Sequence, residues 1–181
     1  SSKCRFWKNL HMSAPGDRRR ISSKDNWGTP PEIFQPVNNE LHFTLDVCAD
    51  ARNHKTERYF NEVMDGLTAN WKGEICWMNP PFSNTYAWVK KAVGEAALGA
   101  TVVALLPNNT DARWYYDFVK NEDGYRPGVF GEVFVRGRIS FIDHETGKPK
   151  SGNTTGSVLV FFGHTSFKVE SACWDWRNNA R

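Results

Sequence analysis

The chain has 181 residues, of which 40% are hydrophobic and 24% charged. That is one domain's worth of chain with enough apolar material for a core, which excludes wholesale disorder. No run approaches the ~20 apolar residues of a membrane span, and the missing apolar h-region near the N-terminus predicts no secretory signal.

The net charge of +3 is unevenly placed. Residues 1–24 carry Lys3, Arg5, Lys8, Arg18, Arg19, Arg20 and Lys24 against Asp17, a net +6 that leaves −3 for the remainder. A basic arm over 1–24 and a single domain over 25–181 is the expected organisation. Such an arm fits a polyanion such as nucleic acid, or is a solvated tail. Cys4, Cys48, Cys76 and Cys173 form no C-x-x-C pair and have no histidine at zinc spacing, which predicts neither a metal site nor a disulfide framework. Cys48 and Cys76 sit in apolar stretches and read as small buried hydrophobes. A reducing cytoplasm is the default compartment. Eight tryptophans and twelve phenylalanines offer flat surfaces for packing or for stacking on bases.

In chain order, Thr29-Pro30-Pro31 opens a short helix over 32–40, with Glu32 in its first turn. Leu41 to Val47 alternates and reads as a strand, ending in the polar loop Asp46-Val47-Cys48-Ala49-Asp50. Residues 51–73 have no period, with Tyr59-Phe60 as a short strand. Glu74 to Met78 is an apolar strand running straight into Asn79-Pro80-Pro81-Phe82. Asn84 to Leu98 has helical periodicity, with Trp88, Ala92 and Ala96 on one face, and Gly99 caps it. Thr101 to Leu106 is a continuous apolar run, as in a buried parallel strand. A helix over 111–120 follows, then strands at 133–135, 138–142 and 157–162. This order predicts an α/β fold, mostly parallel with an antiparallel edge. In such sheets ligands sit beyond the carboxyl ends of the strands, where Asp46 and Asn79 fall.

Asn79-Pro80-Pro81-Phe82 carries the chemistry. The Asn79 amide both accepts and donates. Pro80 and Pro81 fix φ and have no N–H, so the turn is stiff and its carbonyls lack neighbouring donors. Asn79 Oδ1 and the Pro80 carbonyl, converging, can grip an amino group by both hydrogens, with Phe82 a flat face for the ring that bears it. The alternative is a proline turn over a buried aromatic. The position directly after an apolar strand and before a helix favours the grip.

Asn79-Pro80-Pro81-Phe82 resembles the (Asp/Asn/Ser)-Pro-Pro-(Tyr/Phe/Trp) signature of S-adenosylmethionine-dependent amino methyltransferases. With Trp27-Gly28-Thr29-Pro30, Leu45-Asp46-Val47-Cys48-Ala49, Asp65-Gly66-Leu67, Trp71, Leu105-Leu106-Pro107, Gly137 to Phe141 and Gly156 to Phe162, the chain resembles phage-type DNA N6-adenine methyltransferases of the Dam family over residues 25–163. The resemblance implies a Rossmann-like class I methyltransferase fold, S-adenosyl-L-methionine as donor and double-stranded DNA as partner. It implies work in a cytoplasm, the host's if the chain is phage-encoded. It places Asp46 against the donor's methionine ammonium, with Cys48 and Ala49 small enough for close backbone approach. Trp27, Thr29 and Pro30 match the family's N-terminal donor-binding element, though Thr29 also suits a helix cap. Asp50 would meet ribose hydroxyls and Asp65 the donor's adenine. The loop after the first strand has no glycine, unlike most methyltransferases, as is usual in this phage family.

The expected reaction is methyl transfer to adenine N6 after the base flips out and stacks on Phe82, with no metal and no covalent enzyme nucleophile. The same grip would serve cytosine N4, an RNA base or a protein glutamine amide, and a non-catalytic nucleic-acid-binding relative is the alternative class. Arg18, Arg19, Arg20, Arg113, Arg136, Arg138 and Asn153 are the candidate DNA contacts, with Lys90 and Lys91 further cations.

Overall fold

The computed structural model describes residues 27–143, 145–164, 169 and 171–177. The basic arm, including Arg18, Arg19 and Arg20, lies outside them.

Strand β1 (Trp27–Gly28) leads into helix α1 (Pro31–Leu41). Pro30 is its N-cap residue and Pro31 its first helical position, where a missing N–H costs nothing. The helix ends at His42, whose φ of 54° is left-handed; its N–H donates to the Asn38 carbonyl, and Asn38 Oδ1 accepts from Phe43 N. The helix therefore takes Leu41 out of the expected strand, and β2 is only Leu45–Asp46.

Then come β3 (Ile75–Met78), α2 (Thr85–Ala97), β4 (Thr101–Pro107) and α3 (Arg113–Phe118). The expected helix over 111–120 stops short because Lys120 enters a hairpin of β5 (Lys120–Asn121) and β6 (Gly124–Tyr125). Strand β7 (Val129–Val135), β8 (Ile142–Asp143), β9 (Ser157–Phe162) and β10 (Ala172–Trp174) complete the order. Tyr59 makes an isolated parallel bridge to Asp46, the remnant of the short strand expected there.

The main sheet runs β10-β7-β9-β4-β3-β2. Strands β2, β3 and β4 are mutually parallel, as are β7 and β10, while β9 is antiparallel to both β4 and β7. The antiparallel strand is therefore interior, not at an edge as expected. No helix lies between β7 and β9, so the chain returns beside β7 in the opposite sense. All six β9 residues are buried, because its two neighbours and both sheet faces cover it.

The period-2 alternation of the strands divides the core in two. Cys76, Met78, Val102, Ala104, Leu106, Val158 and Val160 face Trp88, Val89 and Ala92 of α2 and Trp114 of α3. Trp77, Val103, Leu105, Leu159 and Phe161 face Ile33 and Phe34 of α1, together with Trp27, Ile139 and Phe141. The expected strand over 138–142 is reduced to Ile142–Asp143, paired with β1 rather than the main sheet. Gly137, at φ 78°, turns the chain out of β7, and Ile139 and Phe141 then plug the second core.

Two local devices hold the irregular parts. Gly66 lies against β2's end: an added Cβ would stand 2.2 Å from the Val47 carbonyl oxygen and 3.0 Å from Trp88. The Gly66 carbonyl accepts from Trp71 Nε1 at 2.8 Å. Glu132, buried in β7, accepts from Tyr115 Oη at 2.6 Å and Tyr125 Oη at 3.2 Å, tying α3 and β6 to the sheet. Burial, then the Glu132 hydrogen bond and charge, push the Tyr115 phenol above its ordinary range. Burial and the Glu132 charge push Tyr125 the same way.

Gly66→Ala should therefore cost about 2 kcal/mol in urea unfolding, because backbone, not a flexible side chain, must move. An unfolded tyrosine ionises near ~10, while these two hold their protons beyond it. Unfolding then releases protons above pH ~10, and stability should fall as pH rises through that range. Tyr115→Phe should shrink the difference between urea midpoints measured at pH 8 and 10.5.

Candidate active site

Strands β2, β3 and β4 end on one edge of the sheet. The register pairs Asp46 with Trp77 and Met78 with Ala104, so Asp46, Asn79 and Asn108 follow one another along that edge. Ser157 of β9 pairs with Pro107 and with Val135, which brings the β7–β8 loop to the same edge.

Asn79 is 4% exposed and Thr29 1%. The Asn79 Nδ2 donates to Thr29 Oγ1 at 2.7 Å. This hydrogen bond sets the amide's orientation, and among the described residues no donor engages Asn79 Oδ1. Thr29 is thus an orienting partner of Asn79, while Pro30 takes the helix cap. Pro80 and Pro81 are buried, and the Pro81 carbonyl accepts from Asn84 N at 3.1 Å. The Pro80 carbonyl has no donor among the described residues. Two oxygens on one stiff turn are therefore available as acceptors. Phe82 is half-buried and meets Phe141 edge-on at 6.2 Å, and Phe141 stacks on Trp27 at 5.6 Å. These rings wall the site on the second face of the sheet.

Asp46 is buried, with Oδ1 accepting from Cys48 N at 3.3 Å and Oδ2 from Lys55 N at 3.0 Å. Cys48 and Ala49 follow it, both buried. A narrow cleft of about 10 Å³ is lined by Gly28, Thr29, Asp46, Cys48, Asn53, Lys55, Trp77 and Asn79. That is room for about one water molecule, far below the ~300 Å³ of ordinary small-molecule pockets, so these residues mark the edge of a site rather than enclose a ligand. A larger cavity of about 370 Å³ opens at the far end of β7 and β9, lined by Tyr125, Gly128, Val129, Phe130, Gly163, His164 and Val169. It holds none of the sequence-predicted residues, and its walls offer little chemistry.

The other expected residues divide. Asp50 is buried, accepts from Arg52 N at 2.7 Å, and donates its own N–H to Asn53 Oδ1 at 2.9 Å. It shapes the turn beside the cleft without lining it. Asp65 has φ 47° and its carboxylate accepts from Leu67 N at 3.2 Å; Gly66 brings it next to Val47, one turn from the Asp46 loop. Asn53 and Lys55, which do line the cleft, escaped the sequence reading because they stand in a stretch with no period.

Of the candidate DNA contacts, Arg136 pairs with Asp175 at 3.1 Å, while Arg138 lies against Gly156, whose added Cβ would stand 3.2 Å from its Nη1. Both sit on the edge that carries Asn79. Arg113 opens α3 on the same edge, paired with Asp117 at 3.2 Å and 5.2 Å from the Tyr86 ring centre. Asn153 donates to the Ile139 carbonyl and accepts from Thr155 N, so its amide braces a loop. Lys91 is paired with Glu95 within α2.

A strand-end Asn-Pro-Pro-aromatic turn, with acceptors that no described donor engages, thus lies beside an aspartate-lined cleft. Residues 17–176 match the family of DNA N-6-adenine-methyltransferases (Dam). The chain belongs to this family. A DNA N-6-adenine-methyltransferase of Haemophilus phage HP1 is 34% identical over 145 residues, 78% of this chain and 80% of that protein. A DNA N-6-adenine-methyltransferase of Escherichia phage T1 is 30% identical over 146 residues, 75% of this chain and 61% of that protein. Among the described residues of this Dam-family chain, no helix is long and apolar enough to cross a membrane.

Removing the Thr29 hydroxyl strands the buried Asn79 Nδ2. Thr29→Val should cost about 1–3 kcal/mol in urea unfolding, and Thr29→Ser should restore most of it.

Proposed function

We propose that the chain transfers a methyl group from S-adenosyl-L-methionine to the exocyclic N6 of an adenine in duplex DNA. The observation that carries this reading is the 2.7 Å hydrogen bond from Asn79 Nδ2 to Thr29 Oγ1, which leaves Oδ1 as an acceptor that no donor among the described residues engages. An amino group brings two N–H donors, and Asn79 Oδ1 with the Pro80 carbonyl offers two acceptors. The amino nitrogen is a poor nucleophile because its lone pair is delocalised into the ring. Accepting both hydrogens holds the nitrogen toward tetrahedral geometry and stabilises positive charge as it develops, so the binding strengthens in the transition state. The grip is built on a turn with two prolines, which lowers the reorganisation needed at the moment of reaction.

The donor supplies an electrophilic methyl group on a sulfonium when bound. The residues present fit it: Asp46 offers a carboxylate to its ammonium, and Cys48 and Ala49 let the backbone approach. Asp46 and Cys48 line one narrow cleft with Asn79, which would put the donor's amino-acid end next to the amino-group acceptors. Trp27 stiffens the wall through its stack on Phe141, and Asp50 and Asp65 shape or flank the loop that would lie along the nucleoside. We read the sheet as that of a Rossmann-like class I methyltransferase, with β2 and β3 supplying donor and amino-group sites. A base in a duplex cannot reach Asn79, so the adenine flips out and meets Phe82. Arg136, Arg138 and Arg113 on the same edge hold flanking phosphates. If the chain is phage-encoded, like the relatives it matches, it acts in the host cytoplasm.

The test is a transfer assay with tritiated S-adenosylmethionine on duplex DNA, RNA and protein extract, with nucleoside mass spectrometry of the products. N6-methyladenine in DNA is the expected product; label only in cytosine, RNA or protein would overturn the substrate. Asn79→Ala should lower kcat by at least ~10²–10³ while donor affinity by calorimetry changes less than about threefold. Equal loss of both would remove Asn79 from the amino-group role.

A further inference from the structure

Two donors in the cleft have no hydrogen-bond partner among the described residues. Asn53 is 8% exposed, and its Oδ1 accepts from Asp50 N at 2.9 Å, which settles which end of the amide points where. Its Nδ2 is buried with no hydrogen-bond partner among the described residues. Lys55 lines the same cleft, two residues on. Its backbone N–H donates to Asp46 Oδ2 at 3.0 Å, and no hydrogen bond or ion pair among the described residues engages its ammonium. A buried amide donor left unpaired is costly, and a partly buried ammonium is held there at the expense of its charge. Burial pushes the Lys55 pKa down, and the nearby Asp46 charge opposes that only in part. Both groups call for an anionic oxygen acceptor, and both lie beside a buried carboxylate.

A carboxylate or a phosphate has that chemistry. The choice between them follows from Asp46. A carboxylate lining the same cleft repels a lone anion but complements an α-amino acid end, where ammonium and carboxylate lie on one carbon. We propose that Asn53 Nδ2 and the Lys55 ammonium bind the carboxylate of the methyl donor's amino-acid end, with Asp46 taking its ammonium. This rests on the methyl-donor reading and deepens it. The segment 50–55 then has one purpose: the Asp50–Asn53 turn aims the amide, and the Lys55-to-Asp46 hydrogen bond holds the lysine beside it. Asn53 and Lys55 are binding residues here, with no part in the transfer itself.

Calorimetry with S-adenosylmethionine and with its decarboxylated analogue tests this without any transfer. The wild-type chain should bind the intact donor at least about tenfold more tightly than the analogue. Lys55→Met, which keeps the stem and removes the charge, should erase most of that ratio by weakening the intact donor alone, and Lys55→Arg should keep much of it. Asn53→Asp, which keeps the acceptor for Asp50 N and removes the donor, should weaken the intact donor by about tenfold or more. Thermal melts of each variant establish that it is folded. If the wild type binds both ligands equally, or the variants weaken both alike, the carboxylate assignment is wrong and the methyl-donor reading stands. If the wild type binds neither, both fall. A loss confined to duplex-DNA binding in the absence of donor would assign the pair to a nucleotide phosphate and overturn the proposal.

Discussion

The orientation of one buried amide governs what this site can do. A primary amide offers an acceptor at one end and a donor at the other, and an amino group is welcomed by the first and repelled by the second. In Asn79 the choice is made by Thr29, whose Oγ1 accepts from Nδ2 at 2.7 Å. Thr29 in turn depends on β1, which pairs with β8 through Trp27–Asp143 and Gly28–Ile142. Trp27 is held by its stack on Phe141. Much of the second core can thus be understood as support for one hydroxyl group. A backbone partner could satisfy Nδ2 equally well in energy, but a side chain from a separate element links the amide's orientation to the docking of the N-terminal segment.

The strand periodicity explains why Thr29 and Asn79 meet at all. In β3, Cys76 and Met78 face the α2 side, while Trp77 faces the α1 side. Carrying that alternation one residue beyond the strand puts Asn79 on the α1 side, where β1 lies. A one-residue slip of β3 would send the amide into the core under Trp88. The register with β2 and β4 prevents it, since each residue of β3 is paired with β4 and two are paired across or beside β2.

This much was legible in the sequence where local pattern decides structure. The apolar runs at 75–78, 101–107 and 157–162 and the helical period of 85–97 are local signals, and the Asn-Pro-Pro-Phe turn sits at a strand end by adjacency alone. The position of β9 was not legible, because choosing β4 and β7 as neighbours is a non-local decision, and an apolar run reads the same at an edge or in the middle. Residues 138–142 alternate like a strand, but the alternation serves to bury Ile139 and Phe141 while the backbone turns away at Gly137. Asn53 and Lys55 carry no period; they become visible only when the Asp50 turn and the Asp46 hydrogen bond bring them to the cleft.

The edge also has a polarity of charge. It begins at β2 with the Asp46 carboxylate in a closed cleft, passes the uncharged acceptors of Asn79 and Pro80, and ends at β7 with Arg136 and Arg138. Neighbouring strands are ~4.8 Å apart, so three steps from β3 to β7 span ~14 Å, or about four base steps of one DNA strand at ~3.4 Å each. Arg136 is tied to Asp175 at 3.1 Å, while Arg138 reaches back along the edge to Gly156, which Asn108 at the end of β4 also flanks. On the proposed reading these arginines hold phosphates of the backbone, which fixes position on the duplex without reading bases. Among the described residues, no arginine or lysine donates to Asn79 Oδ1 or to the Pro80 carbonyl. That matters because a nitrogen gaining positive charge in the transition state is stabilised by neutral acceptors and a nearby carboxylate, and would be destabilised by an arginine beside it.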